Sequence, residues 1–178
     1  MTSERAGCTR SVNDPWHDVL FLKRAGLTGD GVRLGVCDSG LHPSHTQLCA
    51  RVAEWRRWDL RGDMVGSQDA VLFDAQRDSL HGTAMAEVAA GVNGVAPGAT
   101  LVVGVALEAG IVLLRILRCI AWLLDQDIKV LLLPLGIEPV SPLFAALLAR
   151  AAKQDVLVVA PSGNKGPGSV SVPAASPD

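Results

Sequence analysis

From residue 81 onward the chain alternates short apolar runs with helical patterns, and this alternation restricts its fold more than any other feature. An Ala-rich helix over 81–92 is followed by a strand over 101–106, a helix over 111–125, a strand over 128–133, a helix over 141–154 and a strand over 156–160. Apolar strands of about six residues separated by helices of about 14 are the sequence form of βαβ crossovers. They predict a mostly parallel sheet covered by helices on both faces, because strands without polar alternation must be buried on two sides. Upstream, Asn13-Asp14-Pro15 reads as a helix start, with Trp16, Val19, Leu20 and Leu22 supplying an apolar face before Gly26. Gly29-Asp30-Gly31 marks a turn, and 32–37 reads as a mostly buried strand that leads into Asp38. A Gly/Pro/Ser loop, a Trp- and Arg-containing stretch over 52–60 and a polar surface excursion over 61–80 come next. Residues 1–13 read as flexible, and 161–178, rich in Gly, Pro, Ser and Ala, as a loop-like tail cut short.

A chain of 178 residues is expected to form a single domain over 1–178, at about 150 residues per domain. Hydrophobic residues make up 49% and charged ones 19%, enough for a large core and too apolar for a disordered chain. Sixteen Lys and Arg against eighteen Asp and Glu leave a net charge of −2, without the basic excess that a phosphate backbone demands. No nucleic acid partner is expected. The first residues carry no apolar run of the secretory kind, and the most apolar stretch, 110–124, is broken by Arg115 and Arg118. With no signal peptide and no membrane span in view, a cytoplasmic setting is expected. Cys8, Cys37, Cys49 and Cys119 are irregularly placed, two of them in apolar runs suited to buried free thiols, which agrees with a reducing compartment.

In an open parallel sheet, chemistry collects at the carboxyl ends of the strands. Asp38 ends the first strand, in Val36-Cys37-Asp38-Ser39-Gly40. Alone, an Asp in such a turn caps its own backbone. His81 opens a helix whose Ala84, Ala86, Ala89, Ala90 and Gly91 permit close approach to the sheet. Alone, a His at a helix start is structural. Asn164 lies in Ser162-Gly163-Asn164-Lys165-Gly166, a Gly-rich turn after the last strand. Together, a carboxylate, an imidazole and an amide donor on one side of one sheet specify a chemistry.

With these segments in this order, the chain resembles the subtilisin-like serine peptidase family, peptidase S8, over 16–178. Thr28-Gly29-Asp30-Gly31-Val32 with Asp38-Ser39-Gly40 is similar to the family's aspartate segment. His81-Gly82-Thr83 and Gly94-Val95-Ala96-Pro97-Gly98-Ala99 are similar to its histidine segment and sequel. Val158-Val159-Ala160 with Gly163-Asn164-Lys165-Gly166 is similar to its asparagine segment, and Val172-Pro173-Ala174 to the piece after that. The resemblance implies a three-layer α/β/α fold with a mostly parallel sheet, C-terminally incomplete in this chain, and a peptide or protein substrate. It implies that Asp38 holds His81, that His81 relays the proton of an attacking serine, and that Asn164 donates to the oxyanion. Leu133 to Gly136 would line the cleft, so that Leu135, Gly136 and Gly163 bind substrate. Pro134 stands where the family has a small polar residue, and it offers no N–H. No cofactor is assigned. Calcium is possible by the resemblance, but Asp59, Asp63, Asp69, Asp74 and Asp78 read as a solvated loop and supply no ligand set.

The family's nucleophile lies in a Gly-Thr-Ser-x-Ala segment downstream of the asparagine, and nothing of that kind comes after Asn164. Ser169, Ser171 and Ser176 sit in a Pro/Gly loop with no helix to carry them. Gly82-Thr83-Ala84-Met85-Ala86 is similar to the nucleophile segment with Ala for Ser, but His81 and the 94–99 stretch identify it as the histidine segment. Three readings stay open: a split or processed peptidase completed by a second polypeptide, a gene fragment, or a catalytically inactive pseudopeptidase kept for binding. The isolated chain is expected to be inactive, since triad members act as a unit. His42 and His45, near Cys37 and Cys49, are zinc-ligand types that read as part of a polar loop. Trp55-Arg56-Arg57-Trp58 mixes basic and aromatic residues, which alternation on a half-exposed strand explains. The first strand lacks the Gly-x-Gly-x-x-Gly turn of a dinucleotide site.

Overall fold

The computed structural model describes residues 15–65, 80–107, 111–137, 141–166 and 169–174. Among them, five strands pair in parallel: β1 (Arg33–Asp38), β2 (Val52–Arg57), β3 (Thr100–Val105), β4 (Val130–Leu132) and β5 (Leu157–Val159). Their order across the sheet is β2-β3-β1-β4-β5, which puts the first strand in the chain at the sheet's centre. The helices are α1 (Pro15–Arg24), α2 (Thr46–Cys49), α3 (His81–Ala90), α4 (Leu113–Leu123) and α5 (Pro142–Lys153). None of the described helices is long and apolar enough to cross a membrane.

Strand alternation divides the core in two. Leu34 and Val36 of β1, with Leu101, Val103 and Val105 of β3, face Leu41, Leu48 and the Ala86 and Ala90 positions of α3. Cys37 and Val102 face the other way, onto Ile116, Cys119, Ile120 and Leu123 of α4 and Phe144 of α5. Helices on both faces make three layers, and nearly every β1 and β3 side chain is buried because both faces are covered. The two central strands also carry glycines where α4 comes close. At Gly104 a Cβ would lie 2.1 Å from Cys119 Sγ, and at Gly35 one would lie 2.7 Å from Ile128. Gly104→Ala is therefore expected to cost about 1–3 kcal/mol through overpacking. A urea midpoint lowered by Gly104→Ala and partly restored by adding Cys119→Ala would verify it.

Several segments differ from the periodic pattern. The four-residue α2 falls in the expected loop and is too short to show a period. The 52–60 stretch yields only β2, with Trp55 in one core and Trp58 in the other. Arg56 stacks over Trp122, 5.7 Å from its ring centroid. Of the polar excursion, residues 66–79 lie outside the described part, as do the flexible reading of 1–13 and Cys8. Asp59 caps its own turn by accepting the N–H groups of Arg61 and Asp63, both at 2.9 Å. Among the described residues of the 161–178 tail, Val172 forms an antiparallel bridge with Ile137, and the Ser171 N–H donates to Ser162 O at 2.9 Å.

Candidate active site

Asp38 terminates β1 and is held there from both directions. Its carbonyl accepts the N–H groups of Ala106 and Leu107 at 2.8 and 3.2 Å. Its carboxylate is 1% exposed, accepts the Ser39 N–H at 2.6 Å, and has both oxygens 2.9 Å from His81 Nδ1. The first turn of α3 is clamped onto the same bend. Ser39 Oγ accepts the Gly82 N–H at 3.0 Å, and Thr83 Oγ1 accepts the His42 N–H at 2.8 Å. A Cβ on Gly82 would stand 2.3 Å from Gly40 O, so only glycine permits this approach. These contacts bring together two residues 43 positions apart in the chain.

Burial raises the Asp38 carboxyl above its ordinary range, and the hydrogen bonds from His81 and Ser39 oppose that shift. When Asp38 is ionised, His81 donates from Nδ1, which leaves Nε2 as the lone-pair nitrogen of a neutral ring. The His81 side chain is 45% exposed, so the pair runs from a buried acid to an accessible base.

That base opens on a cleft of about 640 Å³, and His81, Leu135, Gly136, Gly163 and Asn164 all line it. Asp38 stands behind His81. Sequence reasoning did not anticipate Met85, Lys165 and Ser171 as further lining residues. Ser171 carries no local signal; it lies between Gly136 and Gly163, whose absent Cβ atoms would come within 2.9 and 2.6 Å of it. Leu133 differs from expectation, for it is buried in the core and its N–H donates to Val159 O at 2.9 Å. The wall bends after it, because Pro134 has no N–H and the Leu135 N–H turns back onto Leu133 O at 2.8 Å.

The zinc-type residues do not converge. His42 Nδ1 is 2.6 Å from Ser44 Oγ, His45 pairs with Glu87 at 3.8 Å, and Cys37 faces the opposite core. No three His, Cys, Asp or Glu side chains gather around a metal position among the described residues.

Residues 29–178 match the profile of the subtilase family, peptidase S8. The chain belongs to that family. It is 31% identical over 193 aligned positions to the subtilisin-like protease PopC of Myxococcus xanthus, covering 92% of this chain and 40% of that protein. It is 30% identical over 163 positions to the minor extracellular protease Epr of Bacillus subtilis, covering 85% of this chain and 23% of the relative. Similarity to subtilisin Savinase of Lederbergia lenta is 32% over 161 positions, covering 84% of this chain and 54% of the relative. This subtilase chain thus spans about half or less of the length of these relatives. Its α/β/α layering and parallel sheet are those of the family fold.

Proposed function

We propose that this subtilase chain supplies the acid, the base and the oxyanion donor of a serine endopeptidase site. The observation that carries the reading is the contact of both oxygens of buried Asp38 with Nδ1 of a half-exposed His81 at the mouth of the cleft. In this reading Asp38 fixes the tautomer and stabilises the imidazolium, while His81 Nε2 takes the proton of the attacking serine and returns it to the leaving amine. The Asn164 side chain donates to the oxyanion of the tetrahedral intermediate. An extended peptide lies between the 134–136 wall and the 160–163 wall, with Gly136 and Gly163 leaving room for Ser171 between them. The serine comes from polypeptide outside residues 1–178, in the same or a second chain.

Peptide hydrolysis by the chain assembled with its serine-bearing segment tests this. His81→Ala is expected to lower kcat by about 10⁴-fold or more. Asn164→Ala is expected to lower it by about 10²- to 10³-fold, a range that itself comes from a subtilisin. Hydrolysis that survives His81→Ala rejects the mechanism. An assembly that binds peptides tightly yet leaves them intact rejects the peptidase in favour of a binding module.

A further inference from the structure

Cys37 and Cys119 take no part in the proposed reaction, yet the fold buries both in one core, and Cys37 is the chain neighbour of Asp38. Cys37 immediately precedes Asp38 on β1, and Cys119 lies midway along α4; both are fully buried in one core. Strand register places Cys37 beside Gly104. Cys119 Sγ rests on that same Gly104, 2.1 Å from where a Cβ would stand. With no side chain on Gly104 to separate them, the two thiols approach the same spot in one core, Cys37 from the neighbouring strand and Cys119 from the helix above it. Cys49 belongs elsewhere, with its thiol 3.6 Å from His42 O and packed against the core on the opposite face of the sheet.

We propose that Cys37 and Cys119 are a latent disulfide, a modification site at which a two-electron oxidant ties the end of β1 to α4. With hydrogen peroxide as oxidant, one thiolate attacks an oxygen to give a sulfenic acid and hydroxide, which takes up a proton to become water. The second thiol then attacks that sulfur, forming the S–S bond and releasing a second water. Each sulfur is oxidised by one electron overall, and the peroxide is reduced to two waters. Burial pushes the Cys119 thiol well above its ordinary range and bars direct access. The first step therefore proceeds through local opening of α4 and is slow, and the closed bond is shielded in the same way from reductants. The bond would also fix the strand end that carries Asp38 and close the long loop between residues 37 and 119.

The test is a peptide map of the full chain. Protein in native buffer is incubated with hydrogen peroxide, blocked with iodoacetamide and digested without reductant. The expected product is a Cys37–Cys119 cross-linked peptide two hydrogens lighter than its parts, cleaved by dithiothreitol, with Cys49 alkylated. Cys37→Ser or Cys119→Ser should each abolish it and Cys49→Ser should retain it; should these variants misfold, the wild-type map decides alone. Alkylation of both Cys37 and Cys119 after prolonged peroxide treatment overturns the proposal, and so does pairing of either with Cys8 or Cys49. The oxidised chain should also melt roughly 10 °C higher than the reduced one. A cross-link that lowers the melting temperature shows that the fold does not accommodate it and overturns the proposal too.

Discussion

Asp38→Asn is expected to lower kcat of the assembled peptidase by about 10⁴-fold while raising the stability of the folded chain at pH 7. Both effects come from the same burial. The asparagine oxygen can still accept the Ser39 N–H, and its NH₂ group would face His81 Nδ1, where the carboxylate now accepts. An NH₂ donor there places the imidazole proton on Nε2, so the ring can no longer act as a base. Stability moves the other way. Burial raises the Asp38 carboxyl, so the folded state binds its proton more tightly than the unfolded state does. For such an acid, stability is fully present below the unfolded pKa and is lost as pH rises through the folded one. At pH 7 the wild-type chain bears that whole cost and the amide bears none. Melting temperatures of the two chains should therefore differ most near neutrality and converge as pH falls through the carboxyl range. An Asn variant less stable than wild type at pH 7 would contradict the burial argument.

Gly82→Ala is expected to cost more than about 3 kcal/mol and at least about 10²-fold in kcat, although Ala is the better helix former by about 1 kcal/mol. The new Cβ would meet Gly40 O at 2.3 Å and Gly40 N at 2.9 Å, both main-chain atoms that cannot rotate away. Relief requires α3 to lift off the Asp38 bend, which stretches the His81 contact and breaks the Ser39 clamp. Gly31→Ala is the control, since Gly31 has φ +79° and nothing within 4 Å, so it incurs only backbone strain of about 1–2 kcal/mol. Urea midpoints of the two variants separate close approach from backbone conformation. Equal losses would mean that the clamp has no special tightness.

Much of the architecture was legible along the chain. The elements from α3 to β5 fall within a few residues of their expected positions, because burial on two faces and burial of one stripe leave different periods. Asp38, His81 and Asn164 were readable as residues at strand ends or helix starts, and Ala86 and Ala90 as positions for close packing. Arg115 was not legible. In the sequence it only breaks an apolar stretch, whereas the folded chain buries it to 1% exposure.

The sequence by itself determined the layered α/β class, the family membership and the side of the sheet on which the functional groups collect, since each depends on local periods and short motifs. Only the tertiary structure decided the strand order, the depth of Asp38, the entry of Met85, Lys165 and Ser171 into the cleft, and the placing of Cys37 and Cys119 on either side of Gly104 in one core. The physical reason is that a period reports the environment along one element. Contacts between distant residues depend on crossover paths, strand register and the few glycines that let one backbone or sulfur approach another.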